Sequence, residues 1–268
     1  MIIVILLIAI LGLYVLSTFC GKRHKGLDAF YEWSFTHRGL HGNGVPENSM
    51  EAFRRARENG YGIELDVHLL ADGGLAVVHD SSLQRTTGVD GRVEDLTTDQ
   101  LKKYFLEGTM QTVPAFADVL QMVAGRVPLI VELKTSGNNS AELCKAVCKL
   151  LDGYDGLFCL ESFDPRCVFW LKKNRPDLIR GQLTENFLRD EKSKIPWIFK
   201  FAVTFQVLNF LTLPHFVAYK FQDRKHISNV LTEKLWKAPC VTWTLIEKAD
   251  YDTAVKEGRI PIFEGFRP

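Results

Sequence analysis

In "GIELDVHL" (62–69), Glu64, Asp66 and His68 fall at every second position, with Ile63, Leu65 and Val67 between them. Strand side chains alternate between faces, so the two acids share one. Two carboxylates at that spacing repel unless a proton or a cation lies between them. The run "LIVELK" repeats the alternation with Glu132 and Lys134, and two further apolar runs end on His37-Arg38 and on His79-Asp80. Glu64, Asp66 and Glu132 form an all-oxygen donor set, which suits one hard divalent cation, Mg2+ or Ca2+, better than Zn2+. His37 and His79 at strand ends are of the type that supplies a general acid and a general base. Arg38 and Lys134 are cations for an anionic group such as phosphate. The plainer alternatives are a buried salt-bridge network linking the acids to Arg38 and Lys134, and hydrogen-bonded structural histidines. Taken together the set points to phosphoryl chemistry more than to acyl transfer, and no P-loop, GxSxG or Rossmann glycine pattern competes. His68 shares the acidic face but falls near the strand end, and with His24, His41, His215 and His226 it is read as structural. Trp243, in "VTWTL", is a pocket candidate and equally a core candidate.

These residues need elements to carry them. "YGIELDVHLL" and "LAVVHD" are strand-like runs joined by "ADGG", a hairpin signal. "ENSMEAFRRARENG" reads as a helix ended by Gly60. Strand-like and helical runs then alternate: "VPLIVELK", "SAELCKAVCKLLDGY", "LFCLESF", "DPRCVFWLKKNRP", "LIRGQL", a long apolar stretch, "FVAYKF", "HISNVLTEKLW", "PCVTWTL", "KADYDTAVKEG" and "IPIFEGF". Repeated β-then-α units predict a parallel sheet with helices outside, and their number suits a (β/α)8 barrel over residues 34–268. An open doubly wound sheet is the competing fold. In a barrel the site lies at the C-terminal strand ends, which is where the polar residues fall.

The chain has 268 residues, 46% hydrophobic and 24% charged, with a formal net charge of +1. That describes a globular protein with a real core, and it gives no basic excess for nucleic acid. The six cysteines form neither a disulfide framework nor a CxxC metal site, and are read as reduced thiols. The uncharged opening "MIIVILLIAILGLYVLSTFC" meets "GKRHK". Its length predicts a single transmembrane anchor over 1–21, with 22–33 as basic linker and lead-in. Lys22, Arg23 and Lys25 place the remainder on the cytoplasmic side of the cell membrane. Residues 195–213, "IPWIFKFAVTFQVLNFLTL", contain Lys200 as their one charge. They are read either as a packed barrel helix with its loop or as a membrane-facing wall beside the site.

In sequence order, "HRG" (37–39), "PEN" (46–48), "ELDV" (64–67), "DGG" with "VVHD" (72–80), "RTTG" (85–88), "VELK" (131–134), "ESFD" (161–164) and "TWTL" (242–245) resemble the glycerophosphodiester phosphodiesterase family. The resemblance runs from His37 to the C-terminus and implies a (β/α)8 barrel. It implies that Glu64, Asp66 and Glu132 bind the cation, that His37 and His79 are the acid–base pair, and that Arg38 and Lys134 hold the phosphate. The implied reaction is hydrolysis of a diester such as glycerophosphocholine or glycerophosphoethanolamine to glycerol 3-phosphate and an alcohol. Cleavage of a lysophospholipid or phospholipid at the same site is a second possibility. A non-catalytic protein that binds phospholipid head groups is a third, disfavoured because all seven positions carry competent residues. The chain departs from the family pattern at Leu70-Ala71, where a Thr is usual, and at its close on "IPIFEGFRP", where Glu264 stands in place of a Thr-Asp pair.

Overall fold

The computed structural model describes residues 1–189 and 196–268. Its strands are β1 (Phe35–Thr36), β2 (Gly62–Leu69), β3 (Leu75–Val77), β4 (Leu129–Lys134), β5 (Phe158–Ser162), β6 (Arg180–Thr184), β7 (Phe216–Lys220), β8 (Cys240–Leu245) and β9 (Ile260–Phe263). They form one sheet in the order β1-β9-β8-β7-β6-β5-β4-β2-β3, and β1 also pairs with β2, which closes the barrel. β3 runs antiparallel to β2 across the expected hairpin, and every other neighbouring pair is parallel. The eight parallel strands make this a (β/α)8 barrel, not an open sheet.

The connecting helices follow in chain order: α2 (Met50–Glu58), α3 (Gln84–Thr87), α4 (Phe116–Val123), α5 (Ser140–Leu151), α6 (Pro165–Asn174), α7 (Trp197–Thr204), α8 (Asn209–Thr212), α9 (Ile227–Val230) and α10 (Lys248–Lys256). The Ser49 side chain accepts from Ala52 N–H and starts α2, and Asp164 caps α6 ahead of Pro165. Period two sorts each strand. Ile63, Leu65, Val67, Leu129, Val131 and Leu133 pack outward with Phe53, Phe116, Val119 and Val147 of the helices. The alternate positions point inward. Near the base these are Phe35, Ile130, Cys159, Phe216, Ile260 and Ile262, joined from below by Leu27 and Phe30. Gly62 and Gly181 make room for this plug: a Cβ there would lie 2.5 Å from the Phe35 ring and 2.2 Å from the Phe216 ring. One layer higher the inward positions turn acidic, because register aligns Asp66 with Glu132 and Glu132 with Glu161.

The N-terminal helix α1 (Ile2–Ser17) is 16 residues long, and none of them is buried. At ~1.5 Å per residue it extends roughly 24 Å, less than a bilayer core of about 30 Å. Among the described residues no helix is long and apolar enough to cross a membrane, so the expected span over 1–21 is not met. The shortfall has a local cause, since residues 18–21 belong to the barrel. Cys20 packs against Val217, Tyr219, Ala238 and Cys240, and Gly21 N–H donates to Pro214 O at 2.9 Å. Residues 25–32 of the lead-in form a 3-10 helix that carries Leu27 and Phe30.

The apolar stretch expected at 195–213 is not one helix. Ile195 lies outside the described residues; the rest splits into α7 and α8, separated by a turn in which Gln206 has φ 55°. Val203, Thr204, Asn209 and Thr212 are buried. Trp197 and Ile198 are 70% and 71% exposed.

Candidate active site

A cavity of about 340 Å3 at the C-terminal mouth of the barrel is lined by His37, Arg38, Glu64, His79, Glu132, Lys134, Glu161 and Trp243, with Phe163, Leu183, Glu185, Phe187 and Ile262 completing it. Asp66, in register with Glu132, is buried beside it. The structure thus gathers every residue singled out from the sequence around one mouth.

Glu64, Asp66 and Glu132 offer carboxylate oxygens that all lie within 4.8 Å of one another. The donor set is entirely oxygen and buried, which fits a divalent cation of the Mg2+ or Ca2+ type. Lys134 Nζ lies 2.7 Å from Glu132 Oε1 and 3.1 Å from Asp66 Oδ1. Asn48 Nδ2 donates to Asp66 Oδ2 at 2.8 Å, and Arg38 N–H donates to Glu64 Oε2 at 2.9 Å. That last bond needs the Arg38 backbone turned to φ 54°. Burial resists ionisation of Asp66, but Lys134, His79 and Arg38 outweigh it and hold the carboxyl far below its usual range. Burial, then Asp66 and Glu132, pushes Glu64 well up; burial raises Glu132 to about 7 against the pull of Lys134. The cluster therefore holds more acid than its own cations neutralise.

Each histidine is oriented by a carboxylate. His37 Nδ1 is 2.5 Å from Glu264 Oε2, and His79 Nδ1 is 2.6 Å from Asp80 Oδ1. With Nδ1–H donated to an acid, Nε2 is left to exchange a proton. Burial lowers His37 while the Glu264 bond raises it, with a net fall. Burial takes His79 down to about 4 despite the opposing field of Asp66. Asp80 is itself gripped by Arg85. Arg85 Nη2 also donates to Glu47 Oε1 at 2.7 Å, and Glu47 accepts from Arg38 Nη1 at 3.0 Å. A chain of ion pairs therefore links the His79 side of the mouth to Arg38. His68 is no ligand, since its ring lies between Glu94 Oε1 (2.9 Å) and the His79 carbonyl (3.2 Å).

Trp243 packs edge-to-face on Phe163 at 5.7 Å, and Phe163 on Phe187 at 5.4 Å, forming an aromatic wall of the cavity. Sequence reasoning passed over Glu161, which is 2% exposed with Oε2 unpartnered, and whose carboxyl burial raises well above the usual range. Its signal was available: "FCLESF" places Cys159, Glu161 and Phe163 on one face by the alternation that marks Glu64 and Asp66. Asn48, Glu47 and Asp80 lie inside the quoted "PEN" and "VVHD" runs, but only the fold brings them to the mouth.

The Glycerophosphoryl diester phosphodiesterase family model matches residues 37–263. The chain belongs to that family. Among curated relatives it is 44% identical over 111 residues to the glycerophosphodiester phosphodiesterase of Bacillus altitudinis, covering 38% of this chain and 45% of that protein. It is 38% identical over 159 residues to the Caldanaerobacter subterraneus enzyme of the same name, covering 55% of this chain and 64% of that one. The chain thus spans about half to just under two thirds of the length of these relatives. Its fold is similar to that of an Oleispira antarctica phosphodiesterase in complex with the product sn-glycerol-3-phosphate (TM-score 0.71, 20% identity, 88% of this chain and 94% of that one). It is also similar to a Thermotoga maritima glycerophosphodiester phosphodiesterase (TM-score 0.64, 22% identity, 86% and 93% covered).

Proposed function

We propose that the chain hydrolyses glycerophosphodiesters, such as glycerophosphocholine and glycerophosphoethanolamine, to glycerol 3-phosphate and an alcohol. The carrying observation is that two carboxylate-oriented imidazoles, His37 and His79, open onto one cavity with the acid cluster, Arg38 and Lys134. One Nε2 removes the proton of the attacking oxygen, which belongs to water or to the glycerol 2-hydroxyl through a cyclic phosphate; the other protonates the departing alkoxide. Arg38 and Lys134 hold the phosphoryl oxygens and offset charge gathering on them. Glu64, Asp66 and Glu132 hold Mg2+ or Ca2+, which when bound supplies Lewis-acid stabilisation of the phosphoryl group. Trp243, with Phe163, packs the carbon skeleton of the substrate. His37→Ala and His79→Ala test the roles separately: each should abolish most product release, and near-normal turnover in either would refute its assignment.

A second reading concerns where the diester comes from. The apolar surface of α1 and the exposed Trp197, Ile198, Phe201, Phe210 and Leu211 favour attachment to the cell membrane. Tyr14 meets Phe205 edge-to-face at 6.0 Å, so α1 and the α7–α8 region share a side of the barrel. Lys22, Arg23 and Lys25 would meet an anionic cytoplasmic leaflet. On this reading a lysophospholipid or phospholipid is cleaved at the same site. Flotation of the full chain with phosphatidylcholine vesicles, compared with Trp197→Asp and Ile198→Asp, tests it; no flotation of the parent chain would end it.

A further inference from the structure

Arg180 opens β6 and, since Ile179 and Leu183 point inward, it faces out toward the helix layer. It is 5% exposed. Nη2 donates to Leu213 O at 2.9 Å, just past α8, while Nε and Nη1 are buried with no hydrogen-bond partner. No acid among the described residues forms an ion pair with it. Arg259, also buried at the base, differs in this respect, because Glu233 lies 3.0 Å away and Glu257 is a second partner. An isolated guanidinium taken out of water is costly unless a counter-charge joins it.

Two imidazoles lie beside Arg180. His215 is buried, and its Nδ1 accepts the Arg180 backbone N–H at 3.4 Å; His24 Nδ1 accepts from Gly26 N–H at 3.1 Å. Each ring therefore carries its proton on Nε2, and the rings lie 5.1 Å apart. The other charged groups at this seam are committed elsewhere. Asp177 accepts from Arg175 at 3.1 and 2.9 Å, and Lys172 Nζ donates to Leu211 O at 2.6 Å.

We propose that Arg180, His215 and His24 form a binding site for a phosphate oxyanion at the base of the barrel, remote from the catalytic mouth and independent of the phosphodiesterase reading. A tetrahedral oxyanion accepts from several N–H donors at once and supplies the charge that Arg180 lacks. Burial, Arg180 and His24 hold His215 down to about 3, and a bound anion would relieve that. The site also adjoins the root of α1: Gly21 bonds Pro214 O, and a Cβ there would lie 2.7 Å from Leu213 O, the carbonyl next to the one Gly21 bonds. Free phosphate and a phospholipid head group present the same oxyanion, and either is a candidate occupant of the site.

The test compares the full chain with Arg180→Met and Arg180→Lys, in inorganic phosphate and in chloride at equal ionic strength. Phosphate should raise the Tm of the parent by roughly 3–6 °C at about tenfold excess over Kd. Measured in the Arg38→Ala background, where the hold of the catalytic mouth on phosphate is weakened, that increment should be largely lost with Arg180→Met and persist in part with Arg180→Lys. A second arm measures flotation on phosphatidylglycerol vesicles against phosphatidylcholine vesicles. Loss of phosphatidylglycerol-specific flotation in Arg180→Met, without a phosphate increment, assigns the site to a lipid head group; the increment with unchanged flotation assigns it to free phosphate. Equal increments in parent and Arg180→Met, or neither response in the parent, would overturn the proposal.

Discussion

At the mouth of the barrel four buried carboxyls, Glu64, Asp66, Glu132 and Glu161, face two cations, Arg38 and Lys134. At the base lie two buried guanidiniums: Arg259 pairs with Glu233 and Glu257, and Arg180 has no acid beside it among the described residues. One end is short of positive charge and the other, at Arg180, short of negative charge. Arg259 stands between them as a balanced pair. A surplus of buried charge is costly unless something from outside completes it, whereas a balanced pair needs only the fold. The imbalance therefore separates sites that take a ligand from contacts that hold the chain together.

The largest effect should come from the mouth. His37→Ala and His79→Ala should each lower kcat by about 10²–10⁴-fold, with unchanged far-ultraviolet circular dichroism. The balanced pair should answer in stability alone. Arg259→Met, which leaves Glu233 to Lys234 and the Tyr219 hydroxyl and removes the partner of Glu257, should lower stability in urea unfolding, while Arg180→Met in phosphate-free buffer should cost far less. Equal costs would remove the distinction between balanced and unbalanced charge. Asp66→Asn and Glu64→Gln should reduce activity at least ~100-fold and abolish stoichiometric binding of the divalent cation, measured by equilibrium dialysis and elemental analysis.

Glu264→Gln should be milder, roughly 10–100-fold in kcat/KM, because this carboxylate is partly exposed and the orienting acid of a Ser-His-Asp triad is buried. Its hydrogen bond raises the His37 pKa against burial, so removing it lets that pKa fall further. If His37 acts as the base, its deprotonated form then persists to lower pH. The acidic limb of the kcat/KM profile should move down, and an upward move would contradict the assignment.

What the sequence disclosed follows a physical pattern. Glu64, Asp66 and Glu132 were legible because period two is local and each acid interrupts an apolar run. Glu161 obeys the same rule in "FCLESF" and was passed over although its strand carries the same signal as that of Glu132. The route from His79 through Asp80, Arg85 and Glu47 to Arg38 was not legible, because it joins residues up to 38 positions apart. The same limit applies at the N-terminus. Twenty uncharged residues read as a span, yet Cys20 fits between Tyr219 and Cys240, and that contact across the chain ends the free helix at Ser17. Arg180 is hidden for the opposite reason: an arginine opening an amphipathic strand looks solvated until the neighbours that bury it are placed.

The most direct measurement is the release of glycerol 3-phosphate from glycerophosphocholine by the full chain, with Mg2+, Ca2+ or EDTA, alongside the His37→Ala/His79→Ala double variant. The expected result is product that depends on a divalent cation and is lost in the double variant. Product formed equally in EDTA, or undiminished without both histidines, would contradict the assignment of the mouth as a cation-assisted, two-histidine phosphodiesterase site.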